Sequence, residues 1–243
     1  MDTRISVIDK RLQNINRIIA VASGKGGVGK SLVASFLSIL LTEQGKKVGL
    51  LDLDLYGPSS HIILGAKPSQ FPEEDKGIIP PKIHNISFMS IVYFSEDKPS
   101  PFRGQDITNI IIELLAITQW GPLDYLIIDM PPGIGEEILD TIHYIKRAEF
   151  LVVSTPSKVA LGAVGKLTSI LQEMNLPLLG ILENMAMTST TSIEDNVKKM
   201  GIPYIGAIKY DSKLETALGD VQALSNTEAF KDFITAMISL DIN

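Results

Sequence analysis

The chain has 243 residues, 45% of them hydrophobic and 21% charged, a balance that suits one globular α/β domain with a core large enough to need no covalent staples. It contains no cysteine, which excludes disulfides, thiolate zinc sites and any iron-sulfur cluster held by its own sulfurs. A net charge of -6 argues against non-specific attraction to nucleic acid or anionic lipid, and no stretch approaches the roughly 18 apolar residues of a membrane span.

The opening MDTRISVIDKRLQ lacks the basic start, apolar run and cleavage site of a secretory signal, so a cytoplasmic location is expected. Ile5, Ile8, Leu12 and Ile15 recur at spacings of three or four and predict an amphipathic helix over 4–14, lying as a brace on the domain. From Arg17 the pattern becomes a continuous apolar run, Ile18 to Ala22, as in a strand buried on both faces. The same grammar then predicts a helix from Leu32 to Gln44, ended by Gly45, and strands from Lys47 to Leu53 and Ile86 to Val92. Between those two strands, Tyr56 to Asn85 carries Pro58, Pro68, Pro72, Pro80 and Pro81 and the run Glu73-Glu74-Asp75. It reads as a long surface excursion and a candidate partner surface.

Further along, helices are predicted at Gln105 to Thr118, Glu137 to Ile145, Val159 to Met174 and, more weakly, Ser192 to Met200. The strands alternating with them are Tyr125 to Met130, Phe150 to Thr155, Leu178 to Leu182 and Tyr204 to Ile208. A last helix over 227–240 places Phe230, Phe233, Ile234, Met237 and Ile238 on one face with Lys231 as its only base, a pattern for docking on the core rather than on lipid. Strands alternating with helices imply right-handed crossovers and a doubly wound, mostly parallel sheet with helices on both faces, in a single domain over 1–243. Ligands are then expected at the carboxyl ends of the strands.

At the first such end, Gly24-Lys25-Gly26-Gly27-Val28-Gly29-Lys30-Ser31 matches G-x-x-x-x-G-K-[ST] at every fixed position, directly after a strand and before a helix. Glycines let successive N–H groups turn inward on phosphate oxygens, and the helix N-terminus adds partial positive charge. Lys30 neutralises β/γ oxygens and the Ser31 hydroxyl can ligate Mg²⁺, with Leu32 continuing the segment. Asp129 closes the strand Tyr125 to Asp129 at the same face, where a carboxylate can hold magnesium directly or through water; it could instead cap the turn at Pro131. Asp52 and Asp54, two residues apart, should point to one side near the γ-phosphate, one over the metal and one over the attacking water; either could instead cap the turn into Tyr56-Gly57-Pro58.

These residues resemble the Mrp/MinD group of ATPases, dimeric P-loop NTPases, over about Arg17 to Ile208. GKGGVGKS resembles the deviant Walker A form, which implies that Lys25 reaches across a homodimer to the partner's phosphates. LLDLDLYGPSSHIILG resembles the group's switch I, implying that Asp54 orients the water while Asp52 lies near magnesium. FRG at Phe102 to Gly104, WGPLDYLIIDMPPGIG and ENM resemble the Mrp subgroup, which implies a switch II at Pro131 to Gly133 and adenine recognition by Asn184, whose amide donates and accepts at once. Two departures stand out: Glu136 and Glu137 replace the usual Asp after PPGxG, and Ala186-Met187-Thr188-Ser189-Thr190-Thr191 has no C-x-x-C pair.

MDTRISVIDKRL, FPEEDKGIIPP and RGQDITNIIIELLAIT resemble the archaeal Mrp-type HypB group, which implies a slow Mg-ATP-hydrolysing switch that delivers nickel to hydrogenase with a HypA-type chaperone. The alternative is an Mrp-type iron-sulfur assembly ATPase without cysteines of its own; a MinD-like positioning ATPase would need basic or membrane-seeking segments that the sequence lacks. His61, His84 and His143 are scattered without ligand spacing and are expected in surface or packing roles, and Met185 and Met187 as core fillers. No nucleic-acid or membrane partner is expected.

Overall fold

A computed structural model describes residues 3–67, 71–95, 104–187 and 192–240. The chain opens with α1 (Thr3–Leu12), β1 (Ile15–Ser23), α2 (Lys30–Glu43) and β2 (Val48–Asp52). The excursion holds α3 (Ser60–Ile63), β3 (Glu73–Glu74), β4 (Ile78–Ile79) and β5 (Lys82–Ile83), before β6 (Ile86–Ser90) and α4 (Val92–Ser95). Next come α5 (Gly104–Ile117), β7 (Leu123–Asp129), α6 (Glu136–Tyr144), β8 (Ala148–Ser154) and α7 (Lys158–Glu173). The chain then runs through β9 (Leu178–Ala186), α8 (Glu194–Lys199), β10 (Tyr204–Lys209), α9 (Leu214–Ala217), α10 (Val221–Ser225) and α11 (Glu228–Met237).

Eight strands form one sheet in the order β10-β9-β8-β1-β7-β2-β6-β5, parallel except for the antiparallel edge pair β5–β6. The apolar run of β1 fills the middle of this sheet: Ile18 to Ala22 are all buried, as a strand covered on both faces requires. From β1 the chain winds outward through β2 and β6, returns to insert β7, and then crosses to β8 on the other side. The crevice between β1 and β8 is thus the point where winding reverses, the usual place for a ligand in such sheets. Helices cover both faces. Phe36 of α2 meets Phe230 and Phe233 of α11 at ring-centroid distances of 5.0 and 5.6 Å, while α1 packs on α5.

Three expectations need correction. The excursion over 56–85 is not irregular throughout, because α3 and the hairpin β3–β4 lie within it. The hairpin is tied down by Gln119 donating its backbone N–H to the Ile78 carbonyl at 2.8 Å and Arg11 donating to the Lys76 carbonyl at 2.8 Å. Strand β9 runs to Ala186, so Asn184 sits within a strand rather than after one. Met185 and Met187 are 37% and 52% exposed and do not fill the core. Phe102, Arg103, Pro68 and the stretch 188–191 lie outside the described residues.

Candidate nucleotide and metal site

The loop between β1 and α2 is shaped by what its glycines permit. Gly27 and Gly29 adopt left-handed backbone, with φ of 77° and 85°, where a side chain is strained. A Cβ on Gly29 would stand 2.1 Å from Asn184 Nδ2, so this glycine also makes room for the Asn184 amide. Gly24 is also required by packing: a Cβ there would meet the Ala163 backbone of α7 at 2.6 Å. Gly26 is exposed beside them, Val28 is buried, and the Ser23 hydroxyl donates to the Lys25 carbonyl at 3.0 Å. Gly29 caps α2 without any side-chain hydrogen bond, so the first-turn amides of this helix remain available to an anion.

Beside the loop lie the carboxylates. Asp52 ends β2 and Asp129 ends β7, and the two are register partners on neighbouring parallel strands, which stand about 4.8 Å apart. Both are fully buried. Lys30 Nζ bonds to Asp129 Oδ1, lies 3.7 Å from Asp54 Oδ2 and donates to the Ser31 hydroxyl at 3.4 Å. Burial works to lower the Lys30 pKa, but Asp129, through its charge and its hydrogen bond, together with Asp52 and Asp54, holds it above the ordinary lysine value. Burial, reinforced by the negative charge of Asp129, pushes the Asp52 carboxyl up to about 8.

Asp54 lies beyond the end of β2, so strand alternation does not carry it to the same side as Asp52. Its Oδ1 instead accepts from the Gly57 amide at 3.2 Å while Oδ2 faces Lys30; turn-capping and a position at the charge cluster coexist. The Asp54 amide donates to Asp52 Oδ1 at 3.0 Å.

Asp54 and Asp129 share one ammonium with Asp52 close behind, so the cluster holds more carboxyl groups than cations and Lys30 stands in for a metal ion. The residues therefore fit a magnesium ion: hard oxygen donors, little other neutralising charge, and a hydroxyl at Ser31. Among the described residues no group of three or more His, Asp or Glu side chains converges as an all-protein metal cage, so such an ion would take further oxygens from phosphate and water.

A cavity of about 550 Å³ opens over this cluster, floored by Gly26, Gly27, Gly29, Lys30, Ser31 and Leu32 and reached by Asp54. Its lining also includes Ile62 and Ile63 of α3, Met185 from β9, and Leu214, Glu215 and Leu218 in and after α9. Asn184 is buried beside it and donates its amide to the Val28 carbonyl at 2.9 Å. Lys25 is half-buried and does not line the cavity, so within one chain it stands apart from the other site residues.

Sequence reasoning missed Ser60, whose hydroxyl donates to Asp129 Oδ2 at 3.1 Å and whose amide donates to Asp52 Oδ2 at 3.2 Å. The only signal for it was its place in LYGPSSH, six residues after Asp54. Met185, with φ of 58°, and the α9 residues were missed as well.

A family model described as "NUBPL iron-transfer P-loop NTPase" matches residues 14–238. An iron-sulfur cluster carrier protein of Aquifex aeolicus is 42% identical over 180 residues, 73% of this chain and 50% of that protein. The cytosolic Fe-S cluster assembly factor NUBP2 of Mus musculus is 34% identical over 227 residues, 85% of this chain and 82% of that one. Among solved structures, a nucleotide-binding protein of Archaeoglobus fulgidus in complex with ADP superposes with a TM-score of 0.79 at 33% identity, covering 94% of this chain and 96% of that one. The chain spans 50% and 62% of the lengths of two bacterial carrier proteins that it matches. These names speak of iron and sulfur, and they replace the expectation of a HypB-like nickel role with a HypA-type partner.

Proposed function

The chain belongs to the NUBPL iron-transfer P-loop NTPases, and from that premise we propose that it is a slow Mg-ATP-driven switch in iron-sulfur cluster assembly, acting as a homodimer. The observation that carries the ATPase reading is the buried cluster of Asp52, Asp129 and Lys30 at the mouth of the glycine loop. In this reading the loop amides from Gly24 to Ser31 and the free first turn of α2 hold the triphosphate. Lys30 exchanges Asp129 for β/γ oxygens, so its charge is delivered to the phosphate only when another cation takes over the carboxylates. Ser31 and Asp129, with Asp52 behind, would hold magnesium, which supplies the charge that offsets the phosphate oxygens. Asp54 orients the attacking water, Lys25 reaches the partner's phosphates, and Asn184 reads adenine by giving up its hydrogen bond to Val28.

The cargo is where this chain departs from a carrier. With no cysteine it offers no thiolate to a cluster, so the cluster ligands must come from a cysteine-bearing partner or client. ATP then acts by changing the grip on that partner, a difference in affinity between nucleotide states. The test is co-purification of the tagged chain from its own cells with ATP or ADP, followed by iron, sulfide and nickel analysis. A cysteine-bearing partner carrying iron and sulfide in a nucleotide-dependent manner is the expected result. A nickel-bearing partner without iron would overturn the assignment.

A further inference from the structure

We propose that Ser60 is a positioning residue that links the metal carboxylates to the α9 wall of the nucleotide cavity, so that filling the cation site reshapes the far side of the pocket. The proposal rests on Mg-ATP binding at the site described above. Ser60 is fully buried and is the only described residue whose side chain and amide engage both carboxylates: its hydroxyl donates to Asp129 Oδ2 at 3.1 Å, its amide to Asp52 Oδ2 at 3.2 Å. It also begins α3, so any shift of the carboxylates is passed to that turn. The far end of α3 is pressed against the segment after α9. Gly219 donates its amide to the Ile63 carbonyl at 3.1 Å, and a Cβ on Gly65 would stand 2.2 Å from the Gly219 carbonyl oxygen. The two backbones thus pass too closely for any side chain to lie between them and absorb motion. Leu214, Glu215 and Leu218, just before Gly219, line the same cavity as the loop.

The geometry thus joins two sides of one pocket through a single four-residue helix, with a serine at one end and two glycines at the other. By holding Oδ2 of both Asp129 and Asp52, Ser60 fixes how the carboxylates present their remaining lone pairs to a cation, and α3 transmits the adjustment.

The chain has no native cysteine, so Thr216→Cys at an exposed position of α9 gives a single attachment point for an environment-sensitive fluorophore. The labelled full chain is saturated with ATP in EDTA and titrated with magnesium, while affinity for a fluorescent ATP analogue is measured with and without the metal. The α9 label should respond to magnesium. Ser60→Ala should raise the magnesium needed for half-response on the order of tenfold, the loss of one charge-assisted hydrogen bond, with metal-free ATP affinity unchanged. Ser60→Thr, which keeps the hydroxyl, should restore most of it. Gly65→Ala, remote from the carboxylates, should keep the magnesium midpoint of nucleotide binding and lose the label response; it serves as the second test should Ser60→Ala melt early. A label that ignores magnesium while ATP binding depends on it, or an identical titration in Ser60→Ala, overturns the relay. Failure of the wild type to bind ATP at all would instead sink the nucleotide reading on which the relay rests.

Discussion

Lys30 serves the free protein, whatever the loop binds. Buried between Asp129, Asp54 and, more distantly, Asp52, it neutralises charge that the strand ends force together, because β2 and β7 bring Asp52 and Asp129 into register. Lys30→Ala is therefore expected to do two things: abolish nucleotide binding, and lower unfolding free energy by about 3 kcal/mol, since removing one partner strands the buried charge of the other. Urea unfolding with and without magnesium checks this, and added metal should return part of the loss. Asp54→Ala should behave differently, because Asp54 is partly exposed and its amide, not its side chain, supports Asp52. It should leave ATP affinity within about twofold while single-turnover hydrolysis falls on the order of a hundredfold. The strand-end aspartates were legible because an apolar run that stops at a carboxylate marks both a strand and its ligand-facing end. Ser60 was not, since a serine two residues after Pro58 has no periodicity to place it. Nor was the bond from Asn184 to Val28, which spans 156 positions and exists only once β9 and the loop are neighbours.

At the scale of elements, the long strands and helices were readable from apolar pattern, with ends differing by a few residues, whereas α3, β3, β4, β5, α9 and α10 were not. Elements of two to five residues carry less than two turns or one alternation, and they persist through partners elsewhere in the chain. The join between β10 and α11 is of this kind. Asp211 Oδ2 accepts from the Glu228 and Ala229 amides at 3.1 and 3.3 Å, and Thr227 accepts from the Phe230 amide at 3.1 Å, so two side chains satisfy the open first turn of α11. Hydrogen bonds from backbone amides, Lys213 first and then Ala229 and Glu228, hold the Asp211 carboxyl below its ordinary value. A depressed carboxylate contributes stability above its unfolded pKa and loses it as pH falls through the folded one. Asp211→Asn should therefore be less stable than wild type at neutral pH, and the gap should close in acid, as read by urea midpoints at a series of pH values.

For the whole molecule, the parallel sheet wound to both sides of β1 followed from strand and helix alternation, and with it the face on which ligands sit. The packing of α11 followed only in outline. Its apolar stripe was visible, but that Phe230 and Phe233 clamp Phe36 of α2 is a tertiary fact. Because α2 begins with Lys30, this aromatic cluster steadies the helix that follows the glycine loop. Phe36→Ala should cost about 3–5 kcal/mol by opening a cavity there, lowering the thermal midpoint without changing the ratio of ATP to ADP affinity. The absence of cysteine, legible from composition alone, means that this chain has no thiolate to offer a metal centre.

The glycine loop hangs from β1, which is paired along its length by β7 on one side and β8 on the other, while α3 and α9 are four residues each. In exchange terms the floor of the pocket belongs to the last part of the molecule to open and its walls to the first. Hydrogen–deuterium exchange of the free chain should find β1 amides protected to the level of global unfolding and α3 and α9 amides exchanging orders of magnitude sooner. In the proposed switch, nucleotide residence is then timed by the breathing of the walls, and release and rebinding can recur many times without the glycine loop ever losing its shape.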